Sequence, residues 1–193
     1  MKARELAVGG AWELVPPVFP DERGLFCPVY EDGVLDVPFR VRRSALSVNR
    51  AGAARGIHYS PGGDGPAKIV HCVAGRVLDI VVDVRVGSPA FGRWDSVLLD
   101  SDRPRAVYLP AGLGHAFVAL TGGTVLSYLL TTTYRPEDER AVALLDPALG
   151  LPLPQARELV MSAADRAAPT LADALDRGLL PRYRTASTKE DET

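Results

Sequence analysis

Apolar and polar residues alternate through the middle of the chain with the period of a β-strand. In the clearest case, residues 77–85, every second residue from Leu78 to Val84 is apolar, and the positions between them mix valines with Asp79 and Asp83. Because successive side chains of a strand point to opposite faces, this pattern predicts a buried strand. Its second face carries both apolar and ionisable groups, so we expect that face to line a polar cavity.

Seven further segments are predicted as strands, separated by turns rich in glycine and proline. They are residues 41–48, 55–60, 67–73, 94–99, 105–109, 115–120 and 125–133. Turn signals at this spacing are typical of all-β sandwiches and barrels. No helix-period segment long enough for a βαβ crossover lies between them, so the sequence predicts a mainly β fold.

The chain is predicted to form one domain over residues 1–183, followed by a tail. The parts are an N-terminal arm over residues 1–39, a barrel over 40–145, a C-terminal helical cover over 146–183 and the tail over 184–193. Prolines separate short helical pieces in the cover, and Thr170 begins a segment that resembles a capping box. Leu171, Leu175 and Leu179 recur every four residues and are expected to lie as one stripe on the barrel. The tail has no apolar periodicity and is expected to be disordered.

The composition is that of an ordinary globular protein without a strong charge bias. The 193 residues include 22 Lys and Arg against 24 Asp and Glu, so the formal net charge is −2, and 47% of the residues are hydrophobic. A general binder of nucleic-acid polymers or of a membrane surface needs a basic excess, and both classes are therefore disfavoured. The charge balance still allows a local phosphate site built from a few arginines.

The two cysteines, Cys27 and Cys72, are too few for a disulfide scaffold or a cysteine-rich zinc site. We interpret both as small apolar residues. The N-terminal segment contains Glu5 and Glu13 and lacks a continuous apolar stretch, so a signal peptide is not expected. No apolar run approaches the ~20 residues of a membrane span, and we expect a cytoplasmic protein without membrane contact.

Three histidines, His58, His71 and His115, are candidates for chemistry inside a small barrel. A metal-binding barrel of the cupin type places two histidines one residue apart and a carboxylate a few residues later. Here the next carboxylate after His58 is Asp64, in a turn, and His115 has no neighbouring ligand. The sequence therefore disfavours a bound metal. Taken alone, His58 is interpreted as a hydrogen-bonded histidine of the barrel.

Lys68 changes the interpretation of His58, because it follows ten residues later across a glycine-rich turn. If the two flanking strands pair around that turn, both side chains approach one cavity mouth. Gly56 is a candidate for a β-bulge, which would bring Arg55 and His58 to the same interior despite their opposite alternation. Tyr128 shares a face with apolar neighbours and, taken alone, is expected to be a core residue.

Several short segments together resemble the dTDP-4-dehydrorhamnose 3,5-epimerase family, the deoxysugar epimerases of the cupin superfamily. The segments are Asp-Glu-Arg-Gly at 21–24, Arg-Gly-Ile-His-Tyr at 55–59, Ala-Lys-Ile-Val at 67–70, and residues 75–89, 91–94, 109–117, 146–150 and 162–165. Each segment is short, but their order and spacing agree over most of residues 15–175. The resemblance implies a jelly-roll, cupin-like β-barrel with short C-terminal helices.

The resemblance also implies an isomerase that uses neither metal nor cofactor and acts on a dTDP-4-keto-6-deoxyhexose. The ketone acidifies the C–H bonds at carbons 3 and 5, so a base can remove a proton to give an enolate that an acid then reprotonates on the opposite face. By position, His58 matches the base and Asp165 the carboxylate that orients it. Lys68 matches the cation beside the keto oxygen, and Tyr128 matches the acid.

Five further residues match substrate-binding positions of that family. Asp79 and His115 match pocket residues, and Arg55 matches a contact to the diphosphate, which suits the bidentate geometry of arginine. Arg23 and Phe26 match an arm that contacts the nucleotide. In the family this arm crosses to a partner subunit, so the resemblance implies a homodimer.

Several positions depart from the usual family pattern and leave the details of the reaction open. They are Pro28, Arg43, Ala45, Ala111 and Leu129. These departures suit an epimerase of a specialised deoxysugar pathway, such as antibiotic biosynthesis, acting at one or both carbons. Two alternatives stay open: a cupin 3,4-ketoisomerase on the same substrate, and a non-catalytic sugar-nucleotide-binding cupin.

Overall fold

A computed structural model of the protein describes residues 1–62, 65–135, 138–154 and 159–184. Within these ranges the chain forms thirteen β-strands and two short α-helices. The predicted mainly β fold with short C-terminal helices is therefore confirmed. Residues 185–193, which make up nearly all of the predicted tail, lie outside the described residues. None of the described helices is long and apolar enough to cross a membrane.

The elements are short and follow one another closely along the chain. The strands are β1 Lys2–Glu5, β2 Trp12–Val15, β3 Phe19–Asp21, β4 Gly24–Phe26, β5 Arg43–Asn49, β6 Ala54–Tyr59, β7 Lys68–Ala74, β8 Arg76–Val82, β9 Trp94–Asp100, β10 Ala106–Leu109, β11 Gly114–Ala119, β12 Thr124–Leu130 and β13 Arg140–Ala141; the helices are α1 Ala163–Arg166 and α2 Leu171–Asp176. All eight segments predicted as strands contain one. The five strands that the alternation pattern missed are β1 to β4 and β13, which have only two to four residues each.

Two antiparallel sheets face each other and enclose the core. One has the strand order β1-β2-β10-β7-β12-β5, and the other has the order β13-β6-β11-β8-β9. Val70 and Leu126 of the first sheet pack with Val77, Val81 and Phe117 of the second. The β3–β4 hairpin pairs with neither sheet. Sheet-on-sheet packing of this kind is consistent with the predicted jelly roll.

Strand β8 is buried on both of its faces. Val77 and Val81 belong to the core between the sheets, whereas Ile80 and Val82 pack beneath the C-terminal segment. The predicted strand ran to residue 85, but β8 ends at Val82, because the Asp83 carboxylate accepts the backbone N–H of Arg85 and closes a turn there.

The C-terminal cover is held by α2, and its contacts correct the predicted leucine stripe. Helix α2 begins after Thr170, whose hydroxyl oxygen accepts the backbone N–H of Asp173. Leu171 and Ala174 are the buried residues of the helix, while Leu175 is exposed. The helix ends at residue 176, so Leu179 follows it in the chain instead of extending the stripe. The buried face thus has spacing i, i+3.

Candidate active site

His58 and Asp165 form a hydrogen-bonded pair at the open side of the five-stranded sheet. The His58 Nε2 atom lies 2.7 Å from Asp165 Oδ1, and the carboxylate is buried. Asp165 is held in the first turn of α1 by its backbone N–H, which donates to the Ser162 hydroxyl at 3.0 Å. Because an ionised carboxylate only accepts hydrogen bonds, Nε2 carries the proton in neutral His58. Nδ1 is then the nitrogen that can accept a proton.

Gly56 sets the position of His58 on β6. The register pairs His115 with His58 and Phe117 with Arg55, so β6 holds one extra residue between the two pairs. Gly56 has a φ of +110°, and a Cβ atom there would lie 2.4 Å from the carbonyl oxygen of His115. Only glycine fits this close approach. The bulge predicted at Gly56 is present, and Arg55 and His58 line the same cavity.

Two cavities meet at His58, and both are also lined by Tyr59 and Glu139. The larger has a volume of about 900 Å³ and is lined by Arg55 and Asp165, among others. The smaller, of about 280 Å³, is lined by residues that include Arg43, Lys68 and Tyr134. Glu139, which the sequence analysis did not identify, places Oε1 3.8 Å from His58 Nδ1. His58 thus lies between two carboxylates.

Lys68 lines the smaller cavity together with His58, but not for the reason expected. Strands β6 and β7 belong to different sheets and do not pair, so the two side chains meet across the space between the sheets. The backbone of Lys68 belongs to the β7 ladder, but among the described residues its ammonium group has no hydrogen bond or ion pair. Burial lowers the pKa of its ammonium group; Arg43 lowers it further, while Glu139 and Asp79 oppose that shift. The group is available to an anionic oxygen.

A second histidine–carboxylate pair lies behind the first. His115 Nε2 is 2.8 Å from Asp79 Oδ2, and both side chains are buried. His115 faces His58 across β11 and β6 in the register. The other oxygen of Asp79 has no hydrogen-bond partner among the described residues. Neither residue lines the two cavities described above. Both are buried on β8 and β11, which pair with each other.

Tyr128 lies on β12 and packs against the core between the two sheets. Its ring centroid is 6.4 Å from that of His115, and its hydroxyl is 3.3 Å from the hydroxyl of Ser47. Burial raises the pKa of Tyr128 to about 12, against the Ser47 hydrogen bond, which lowers it. The phenol therefore stays protonated at neutral pH, which is the form that a general acid requires.

Arg23 and Phe26 lie on the exposed β3–β4 hairpin, and within this chain neither reaches the two cavities. The Arg23 guanidinium pairs with Asp21 at 2.5 Å, and Phe26 is 69% exposed. Within one chain, seven of the nine predicted site residues therefore line the two cavities or lie in the buried group next to His58, and Arg23 and Phe26 stay on the surface. The seven are Arg55, His58, Lys68, Asp79, His115, Tyr128 and Asp165. Among the described residues, no group of three or more His, Cys, Asp or Glu could hold a metal ion.

Ser47 and Asn49 of β5 are polar residues near Tyr128 that the sequence analysis missed. The signal was present in the alternation of that strand. Leu46 and Val48 are apolar but exposed, at 69% and 65%, so the polar residues between them take the inward positions.

Comparison with known proteins gives one consistent result. The family model for dTDP-4-dehydrorhamnose 3,5-epimerase matches residues 5–173. The chain is 43% identical over 187 residues to the dTDP-4-dehydrorhamnose 3,5-epimerase of Mycolicibacterium smegmatis, covering 95% of this chain and 92% of that one. It is 44% identical over 183 residues to a dTDP-4-dehydro-6-deoxyglucose 3-epimerase of a Streptomyces species, covering 93% of each.

Solved structures agree with this result. ChmJ, a 3'-monoepimerase from Streptomyces bikiniensis in complex with dTDP-quinovose, matches with a TM-score of 0.90 at 43% identity, over 93% of each chain. The rmlC epimerase of Mycobacterium tuberculosis matches with a TM-score of 0.90 at 43% identity, over 95% of this chain and 94% of that one. The chain therefore belongs to the dTDP-4-dehydrorhamnose 3,5-epimerase family.

Proposed function

We propose that the protein epimerises a dTDP-4-keto-6-deoxyhexose at one or both carbons beside its ketone. The observation that carries this proposal is the arrangement of His58. It is oriented by Asp165, and it shares a cavity with the unpaired ammonium of Lys68. A base and a fixed cation on one cavity suit proton removal next to a carbonyl group, because negative charge moves to the carbonyl oxygen as the proton leaves.

In this mechanism His58 takes the proton from carbon 3 or carbon 5 at Nδ1. Asp165 holds the ring and stabilises its charged form, and Lys68 stabilises the enolate oxygen. Tyr128 then returns a proton from the opposite face, which inverts the carbon. After transfer the tyrosine is an anion and His58 still holds the proton taken from carbon. Before the next turnover His58 releases this proton to solvent, and Tyr128 takes up a proton from solvent.

The remaining predicted residues are assigned to binding. Arg55 lines the larger cavity and is proposed to contact the diphosphate. Asp79 and His115 are proposed to shape the sugar pocket behind His58. Arg23 and Phe26 are proposed to reach the nucleotide in the site of a second copy of the chain, which makes the active protein a homodimer. The exposed apolar surface of the β3–β4 hairpin supports this, since such a surface usually has a partner.

Exchange in heavy water tests the proposed activity. We expect deuterium to enter carbon 3, carbon 5 or both of dTDP-4-keto-6-deoxyglucose, as followed by NMR, and His58→Ala to abolish it. Tight binding with no exchange at either carbon would contradict the proposal and favour a non-catalytic binding protein. A product with its carbonyl at carbon 3 would favour the 3,4-ketoisomerase instead.

A further inference from the structure

A chain of three hydrogen bonds runs from Arg55 to Tyr128 through strand β5. Arg55 Nε donates to Asn49 Oδ1 at 3.2 Å, and Asn49 Nδ2 donates to the Ser47 hydroxyl at 3.0 Å. The Ser47 hydroxyl in turn lies 3.3 Å from the Tyr128 hydroxyl. These three hydrogen bonds therefore connect Arg55, which lines the larger cavity, with the buried phenol of Tyr128.

The direction of these bonds follows from what each group can donate. The Arg55 guanidinium only donates, so the facing atom of Asn49 is its carbonyl oxygen. Asn49 Nδ2 also lies 3.2 Å from the carbonyl oxygens of Ser47 and Thr124, which only accept. The amide orientation is thus fixed from both ends. Ser47 Oγ receives a hydrogen bond from Asn49, so its own proton can be donated to Tyr128.

This direction matters for a tyrosine that gives up a proton. With Ser47 donating to its oxygen, the Tyr128 proton is not used in a bond to Ser47 and can be transferred. Once the phenolate forms, the Ser47 donor stabilises its charge, and a hydrogen bond to a charged group is stronger than one between neutral groups. Asn49 is only 3% exposed, so water does not readily replace these contacts.

We propose that Ser47 and Asn49 are positioning residues that hold the Tyr128 hydroxyl for inversion of the substrate and link it to Arg55. This inference rests on the proposed function, in which Tyr128 is the acid. It predicts that Ser47 affects reprotonation by Tyr128 while leaving proton removal by His58 unchanged.

In heavy water, the ratio of deuterium incorporation with retention to incorporation with inversion separates proton removal by His58 from reprotonation by Tyr128. Deuterium that enters with retention reports His58 alone, because His58 is partly exposed and exchanges its proton with solvent. Deuterium that enters with inversion requires Tyr128. We expect Ser47→Ala to raise the ratio of retained to inverted deuterated sugar about tenfold. Ser47→Thr, which keeps the hydroxyl, should restore most of the original ratio.

The ratio does not depend on how much of the variant is folded, since both events come from folded enzyme. Asn49→Ala should raise the same ratio and also the KM, because Asn49 contacts Arg55. The matched control is Ser44→Ala, an exposed serine on the same strand, which should leave the ratio unchanged. An unchanged ratio in Ser47→Ala would overturn the inference, whereas wild-type protein without any exchange would overturn the proposed function itself.

Discussion

At the scale of the residue, the environment of His58 gives its two ring nitrogens different roles. Nε2 is bonded to a buried carboxylate, and Nδ1 lies 3.8 Å from the partly exposed Glu139. Fixing the tautomer in this way leaves one nitrogen for proton transfer. In the proposed mechanism, the Asp165 carboxylate therefore acts through the orientation and charge of the histidine.

Replacing Asp165 by asparagine tests that role. An asparagine amide can donate to Nε2 and so stabilise the wrong tautomer, as it does in serine proteases. We expect Asp165→Asn to lower kcat by about 10²–10⁴-fold with little change in KM, measured as the rate of epimerisation. Asp176→Asn, at an exposed position of α2, is the control. A kcat within twofold of wild type in Asp165→Asn would contradict the assignment.

We expect Lys68 to make kcat fall at alkaline pH. Burial holds the pKa of its ammonium below the ordinary value of 10.5, so the group loses its charge at a lower pH than an exposed lysine. In the proposed mechanism the charged form stabilises the enolate oxygen, so kcat should fall as the pH rises through this lowered pKa. A pH–rate profile should therefore show an alkaline limb below pH 10.5.

Lys68→Arg is the matching variant for this profile, since a guanidinium stays protonated throughout the accessible range. We expect the alkaline limb to disappear or move upward in this variant, even if kcat at neutral pH is reduced. An alkaline limb that is identical in the two proteins would assign it to another group.

At the scale of the element, the bulge in β6 is the feature on which the site depends. Gly56→Ala would force a methyl group against the backbone of β11 in a conformation that alanine rarely adopts. We expect a loss of about 1–3 kcal/mol in the free energy of unfolding, measured by urea denaturation. Gly122→Ala, where a Cβ atom meets nothing within 4 Å, should stay close to wild type. Equal effects of the two substitutions would contradict this account.

The strands show how far alternation alone predicts a fold. The eight strands that alternation identified were predicted to within a few residues, since their apolar periodicity is set by burial between two sheets. The pairing of strands was not predicted, because alternation gives the faces of a strand but not its neighbours. Lys68 illustrates this, as it reaches the cavity of His58 from the opposite sheet.

The site itself was predicted mainly through resemblance. Asp165 lies 107 residues after His58 in the chain, and no local pattern in the sequence brings these two together. Ser47 and Glu139 were missed because each is a single polar residue without a motif. Residue-level reasoning did identify the Gly56 bulge, since a glycine within a strand pattern indicates a close backbone approach.

At the scale of the whole molecule, the β3–β4 hairpin extends from the two sheets with apolar side chains in solvent. Phe19 and Phe26 are both largely exposed, and their ring centroids lie 6.4 Å apart. If this hairpin contributes to the nucleotide site of a second copy, its loss should weaken substrate binding without altering the chemistry.

Phe26→Ala tests this contribution. We expect the KM for the dTDP-sugar to rise about tenfold while kcat changes little, because a large aromatic contact of about 1.5 kcal/mol is lost from binding alone. Light scattering should give the mass of a dimer for wild-type protein. A monomeric wild type with full activity would contradict the proposed crossing of the arm, and so would an unchanged KM in the variant.

The double burial of β8 has a consequence for the order in which the molecule opens. The backbone N–H groups of this strand bond to β9 and β11 beneath two layers of side chains. Their hydrogen exchange with solvent therefore requires global unfolding, whereas the β3–β4 hairpin exchanges through local opening. Since Asp79 belongs to β8, the carboxylate that is hydrogen-bonded to His115 lies in the last part of the protein to open, while the β3–β4 hairpin lies in the first.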